Sequence, residues 1–170
     1  MTRVVPLFVL LLVAACGPAK VDSADTQPLT SVPADSTLPH FTKTDFASLR
    51  WLAGRWRGLL PDGKPFFEAY SVVNDSTIHQ AAFSDSTFKT QTDSSMIGLR
   101  GGLVVHQGQG SSWVASHLDS RVVRFDLVKA PANYFSWSRR GADAWEAQLF
   151  NVDGRGQQQR VVYQMQRVKP

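Results

Sequence analysis

Few residues in this chain have the chemistry to form a site. In PFFEAYS, residues 65–71, one carboxylate, Glu68, stands among Phe66, Phe67 and Tyr70. An acid in such company, if it faces inward, loses hydration, and its pKa rises so that it can bind or protonate a ligand. Tyr70, two residues on, shares its face in a strand. Alternation alone does not choose the inward face: Phe67, Ala69 and Val73 compete for it, and in that arrangement Glu68 is an exposed rim residue. Trp113, Phe135 and Trp137 have the character to line a pocket, or equally to fill a core. Four histidines, His40, His79, His106 and His117, stand apart; the last three fall on strand-like runs and would have to converge to hold a metal or haem. A solitary strand histidine is more often satisfied or solvent-facing. There is no G-x-S-x-G elbow, no H-E-x-x-H, no phosphate-cradling glycine loop and no paired Cys or His at metal spacing. The expectation is a non-enzyme without metal or cofactor.

The one thiol, Cys16, has a different setting. A single charge, Arg3, precedes an uncharged run from Val4 to Ala15, the layout of a secretory signal over residues 1–15. That run is too short to span a bilayer, which takes about 20 apolar residues. Val13, Ala14 and Ala15 before the cysteine, with Gly17 after it, resemble the lipobox of bacterial lipoproteins. The resemblance implies that Cys16 carries diacylglycerol, that the peptide before it is removed, and that Cys16 becomes an acylated first residue. Two or three acyl chains on one residue hold a protein to a membrane, whereas one does so only marginally. Gly17, rather than aspartate, favours an outer membrane, with the protein facing the periplasm. An ordinary signal peptide cut nearby would instead leave Cys16 as a free thiol.

Residues 16–40 carry four prolines with many Ser, Thr, Asp and Ala, and no aromatic residue. Such a composition buries too little apolar area to offset ordering entropy and reads as a disordered tether, with a short extended segment clipped to the domain as the alternative. As a flexible coil it would reach about 25–30 Å.

Residues 41–170 hold all five tryptophans, all three tyrosines and nine of the ten phenylalanines, enough for one core. The formal charge of the whole chain is only +4, and its basic residues are scattered, so no nucleic-acid stripe is visible. Runs such as FKTQT, LVVHQ, WVASHL, RVVRFDLVK, YFSWS, WEAQLF and QRVVYQMQRV have a period of two. Turn chemistry separates them: NDS at residues 74–76, the glycine pair Gly101 and Gly102, GQGSS, RRGAD and DGRG. This predicts an all-β fold, an antiparallel up-and-down barrel of about nine or ten strands, since closure removes exposed edges. One short N-terminal helix precedes it, with Thr44 or Asp45 as cap and Phe46, Leu49 and Leu52 at helical spacing.

In SLRWLAGRWRG, residues 48–58, a helix runs into Gly54-Arg55-Trp56. The stretch resembles the glycine-x-tryptophan opening of lipocalins and related barrels, and the tryptophan-leucine-x-glycine-x-tryptophan opening of a family of uncharacterised, lipocalin-like bacterial lipoproteins. The resemblance implies that Trp56 plugs the closed end of the barrel and that an arginine of the last strand lies across it. Val161, Tyr163, Met165 and Arg167 share a face there, which makes Arg167 the partner. Glu68 and Tyr70 extend the match, whereas the histidine and aspartate that many members carry near the end are replaced by NYFSWSRRGADAWEAQLF.

Two functions follow as expectations. The chain is either a lipid-anchored barrel that binds a small hydrophobic or amphipathic ligand, with Glu68, Tyr70, Trp113 and Trp137 as candidate contacts, or a packed barrel that docks another envelope protein. Small residues decide between them: Ala69, Ala82, Ala115 and Gly98 face either a void or solvent.

Overall fold

The computed structural model describes residues 38–169 apart from residue 109, with residues 130–132 described by their backbone. Cys16, the signal segment and residues 16–37 of the expected tether lie outside the described residues. Closer to the barrel, Leu38 and Pro39 are half-buried and the Phe41 amide donates to the Gly102 carbonyl at 2.7 Å, so the domain reaches a few residues into the stretch read as tether.

A helical turn, α1 (Lys43–Ala47), passes directly into a 3₁₀ turn (Ser48–Leu52). The cap is Thr42 rather than Thr44 or Asp45. Its hydroxyl accepts from the Asp45 amide at 3.2 Å and the Asp45 carboxylate accepts from the Thr42 amide at 2.7 Å, a reciprocal capping box. So short a helix is not stable on its own; it is held by burying Phe46, Leu49 and Leu52, each 2% exposed or less.

Ten strands follow: β1 (Gly54–Leu59), β2 (Pro65–Asn74), β3 (Thr77–Phe83), β4 (Gln91–Arg100), β5 (Leu103–Gly108), β6 (Ser111–Leu118), β7 (Val122–Leu127), β8 (Ala130–Arg139), β9 (Ala144–Val152) and β10 (Gln158–Arg167). Each pairs antiparallel with its neighbour in sequence, and β1 pairs with β10 through Trp56 and Arg167. The sheet is therefore a closed barrel with no free edge, the all-β up-and-down architecture expected from the period-two runs. One run is shorter than expected. FKTQT does not begin a strand at Phe88, because residues 84–90 form a loop in which Phe88 has φ of 55° and lays its ring on Phe67 and Phe83.

The two ends of the barrel differ. The helix and the turns that follow β2, β4, β6 and β8 lie at one end, where Leu49, Leu52, Ile78, Ile97, Val104 and Val123 are fully buried in a continuous core. Each such aliphatic side chain contributes about 1.5–3 kcal/mol through burial. Trp56 seals this end: its indole N–H donates to the Leu52 carbonyl at 2.6 Å, and its ring meets Trp145 edge-on with centroids 5.9 Å apart. The guanidinium carbon of Arg167 lies 4.1 Å from the centre of the Trp56 ring. Its nitrogens donate to the carbonyls of Ala53, Trp51 and Ala142. Gly54 is required here, since its φ is +131° and the space a Cβ would take is filled by the Arg167 guanidinium.

Candidate functional site

Toward the other end the lumen is not filled. A cavity of about 410 Å³ lies between β2, β3, β4, β5 and β6, and a second of about 270 Å³ lies between β2, β3, β8, β9 and β10. The two meet at Glu68 and Gln80, which belong to both walls. Space exists in the larger cavity because several inward positions near it are small: Ala82, Ser95, Gly108 and Ser111. Of the small residues whose facing was in question, Ala82 lines this void, Ala115 is fully buried in the core, and Ala69 and Gly98 line neither cavity.

β2 turns Phe66, Glu68 and Tyr70 inward, since the rings of Phe66 and Tyr70 join the core. Phe67, on the opposite face, is nevertheless only 7% exposed. It is sheltered by Phe88 at 5.9 Å, while Phe88 itself packs on Phe83 and carries the Arg55 guanidinium at 5.0 Å. An outward aromatic is thus buried by a loop rather than by the barrel interior, and this leaves the interior position to the acid.

Glu68 keeps contact with the cavities but is walled in by protein on the remaining sides, and this burial pushes its carboxyl above the usual glutamate range. Two donors work against that shift: the Tyr70 hydroxyl, which gives its proton to Glu68 Oε2 at 2.8 Å, and the Gln80 amide. Tyr70 is fully enclosed; burial, with the adjacent Glu68 charge, drives its pKa well above 10, so it acts only as a donor. Sequence alternation let Glu68 and Tyr70 share a face, and the structure joins them directly.

The network continues through Gln80 and Ser95, which the sequence reading did not single out, to His106, which it weighed as a metal or haem ligand. Gln80 Oε1 accepts from the Ser95 hydroxyl at 2.5 Å, and His106 Nε2 lies 3.1 Å from Ser95 Oγ and 3.2 Å from Gln80 Oε1. The Ser95 proton is committed to Gln80, so both oxygens facing Nε2 have lone pairs to offer. The arrangement assigns the ring proton to Nε2 and leaves Nδ1 as a buried acceptor with no partner. Burial among Phe125, Phe135 and Trp137 lowers the His106 pKa to about 4, so the ring is neutral at physiological pH. Ile78, Gln80 and Ala82 alternate with His79 and Ala81, a signal that placed Gln80 on one face of β3 with a small residue; nothing local said that the face was the lumen.

The other expected positions separate. Trp113 lines the larger cavity and meets Phe135 edge-on at 5.0 Å. Trp137 is 5% exposed and packs against Tyr70, Phe125, Phe135 and Trp145; it is a core residue that also closes one wall of the smaller cavity. The strand histidines do not converge. His106 is interior, while the exposed His117 pairs with Asp119 at 3.1 Å and His79 lines neither cavity. Among the described residues no group of three His, Cys, Asp or Glu side chains is arranged to hold a metal ion.

Compared with known proteins, the chain matches no family model and none of the curated proteins searched.

Proposed function

We propose that this chain is a lipid-anchored, lipocalin-like protein of a bacterial envelope whose barrel holds a small amphipathic molecule. The observation that carries the binding reading is the lumen itself. A barrel packed for structure alone would fill its axis with large side chains, whereas this one, filled from Trp56 to the Phe125, Phe135 and Trp137 cluster, carries beyond that two cavities meeting at a buried carboxylate. The larger cavity, about 410 Å³, falls in the range of small-molecule sites, and the smaller, about 270 Å³, adjoins it at Glu68 and Gln80. The smaller combines aromatic and aliphatic walls with few polar groups, the larger is mainly polar with Trp113 on its wall, and the two together suit a molecule with an apolar body and a polar head. Glu68, Tyr70 and Trp113 would contact the ligand, Trp137 would back it, and no catalytic role is assigned to any of them.

The lipocalin-like assignment draws on the Gly54, Trp56 and Arg167 constellation; the barrel has ten strands, against the eight of lipocalins. The membrane assignment draws on the sequence around Cys16. Replacing Cys16 with serine should move the protein from the membrane to the soluble fraction, and an unchanged distribution would remove the anchor from the proposal. For the binding reading, native mass spectrometry on chain isolated from its own cells, before and after denaturation, should give a mass excess that denaturation abolishes. A bare polypeptide mass, combined with no response to added small molecules, would favour the packed barrel that docks a protein partner.

A further inference from the structure

The polarity of the lumen restricts what can enter it. The larger cavity is lined by Glu68 and Asp93, by Ser95 and Ser111, and by Gln80, whose amide N–H is turned to Glu68. Among the described residues no lysine or arginine lines either cavity. This is not a consequence of composition, because the chain as a whole is basic, with 18 Lys and Arg against 14 Asp and Glu. The inward arginine of β10, Arg167, is engaged at the Trp56 end, and the walls of the two cavities carry acidic rather than cationic side chains. A fatty carboxylate placed there would meet the Glu68 carboxylate with much of its hydration stripped away.

We propose that the occupant carries a cationic amine head that is seated on Glu68 and bears an apolar or aromatic body; the inference rests on the ligand-holding reading of the cavity. Glu68 stands where the two cavities meet, so an ammonium bound to it can extend its body into the smaller one, walled by Phe66, Trp137, Leu149, Tyr163 and Met165. Trp113 lines the same cavity as Glu68 and is the aromatic type that best attracts a positive charge. Tyr70 and Gln80 fix the carboxylate by donating to it, so it does not have to reorganise when the amine arrives. The buried, partnerless Nδ1 of His106 belongs to the same network and adds a further acceptor, and no donor, to this side of the barrel.

The test uses two pairs of probes that differ only in their head: tryptamine with indole-3-acetate, and hexylamine with hexanoate. Binding to the purified full chain is followed by titration calorimetry at pH 7.5, with the Glu68→Gln variant in parallel and its melting temperature as a check on folding. The expected result is amine binding at least tenfold tighter than binding of the matching acid, weakened about tenfold to a hundredfold in Glu68→Gln, the effect of losing a charge-assisted hydrogen bond. Acidification should also release the amine, since Glu68 loses its charge at a pH above that of an ordinary glutamate. If the acids bind as well as the amines, or if folded Glu68→Gln binds amines unchanged, the amine assignment is overturned while a ligand-holding cavity stands. If no probe of either pair binds, the assignment falls, and any mass excess in the native spectrum would then have to come from a ligand of other chemistry.

Discussion

Replacing Trp56 with alanine tests how the closed end of the barrel is held. The indole is 1% exposed and is among the largest fully buried side chains of the domain. Truncation to a methyl group removes about 150–200 Å² of burial, about 4–5 kcal/mol at 25 cal per Å², in line with the range of about 3–5 kcal/mol for emptied aromatic sites. The Leu52 carbonyl also loses its donor, which adds about 1 kcal/mol. Arg167 does not become a stranded charge, because the carbonyls of Ala53, Trp51 and Ala142 and the Asp143 carboxylate still hold it. The total, about 4–6 kcal/mol, is a large part of the stability of a domain of this size. At about 3–5 °C per kcal/mol it corresponds to a melting point roughly 15–25 °C lower. Urea unfolding and calorimetry of the variant measure it, and a double-mutant cycle with Arg167→Ala should give a coupling of about 1 kcal/mol from the stacked guanidinium. A loss below about 2 kcal/mol would refute the plug, since it would require the helix and Trp145 to close over the space without cost.

Three further outcomes follow from the same contacts. Arg167→Lys keeps the charge but not the planar fork that reaches three backbone carbonyls, and urea unfolding should register a loss of about 2 kcal/mol; a neutral result would mean that the charge alone matters. His106 has a folded-state pKa of about 4 against 6.5 when unfolded, so the unfolded chain binds the extra proton first and stability should fall as the pH drops from about 6.5 to 4, by up to about 3 kcal/mol. His106→Phe should flatten that part of a pH series of unfolding curves. Glu68 acts with the opposite sign, its raised pKa favouring the folded state on acidification, so the variant should show a residual slope of that direction. Thr42→Ala should cost about 1 kcal/mol by removing the capping box, seen as a small drop in melting temperature, and no change would mean that the helix is held by its buried face alone.

The strands and their turns could be read from the sequence because both signals are local. Alternation within WVASHL or YFSWS requires nothing beyond neighbouring residues, and NDS, the glycine pair at 101–102, RRGAD and DGRG fall on turns by their own backbone preferences. The Trp56 and Arg167 pairing was legible for a related reason: a glycine at a helix-to-strand corner and an arginine in phase with Val161, Tyr163 and Met165 restrict the possible geometry, and their meeting at 4.1 Å follows once β1 and β10 close the sheet. The cap escaped because Thr42, Thr44 and Asp45 all suit the role by type, and only the docking of Phe41 on Gly102 selects among them.

The site was less legible, since it depends on which face of each strand turns inward. Alternation in PFFEAYS divides the residues into two sets without ranking them, and by hydrophobicity Phe67 has a better claim to the interior than Glu68. The tertiary structure reverses that order by giving Phe67 a shelter outside the barrel, built by Phe88, Phe83 and Arg55. The lumen position then falls to Glu68, where Tyr70 from its own strand and Gln80 from the next supply donors that make a buried carboxylate tolerable. His106, Ser95 and Gln80 are 11 to 26 residues apart in sequence and meet only because β3, β4 and β5 lie side by side in register. Periodicity determined that this chain forms strands, and composition that it has a core. Where that core stops, and that a polar cavity begins there, was decided by the closure of the barrel, which sets the facing of every strand at once and leaves small side chains where the lumen is widest.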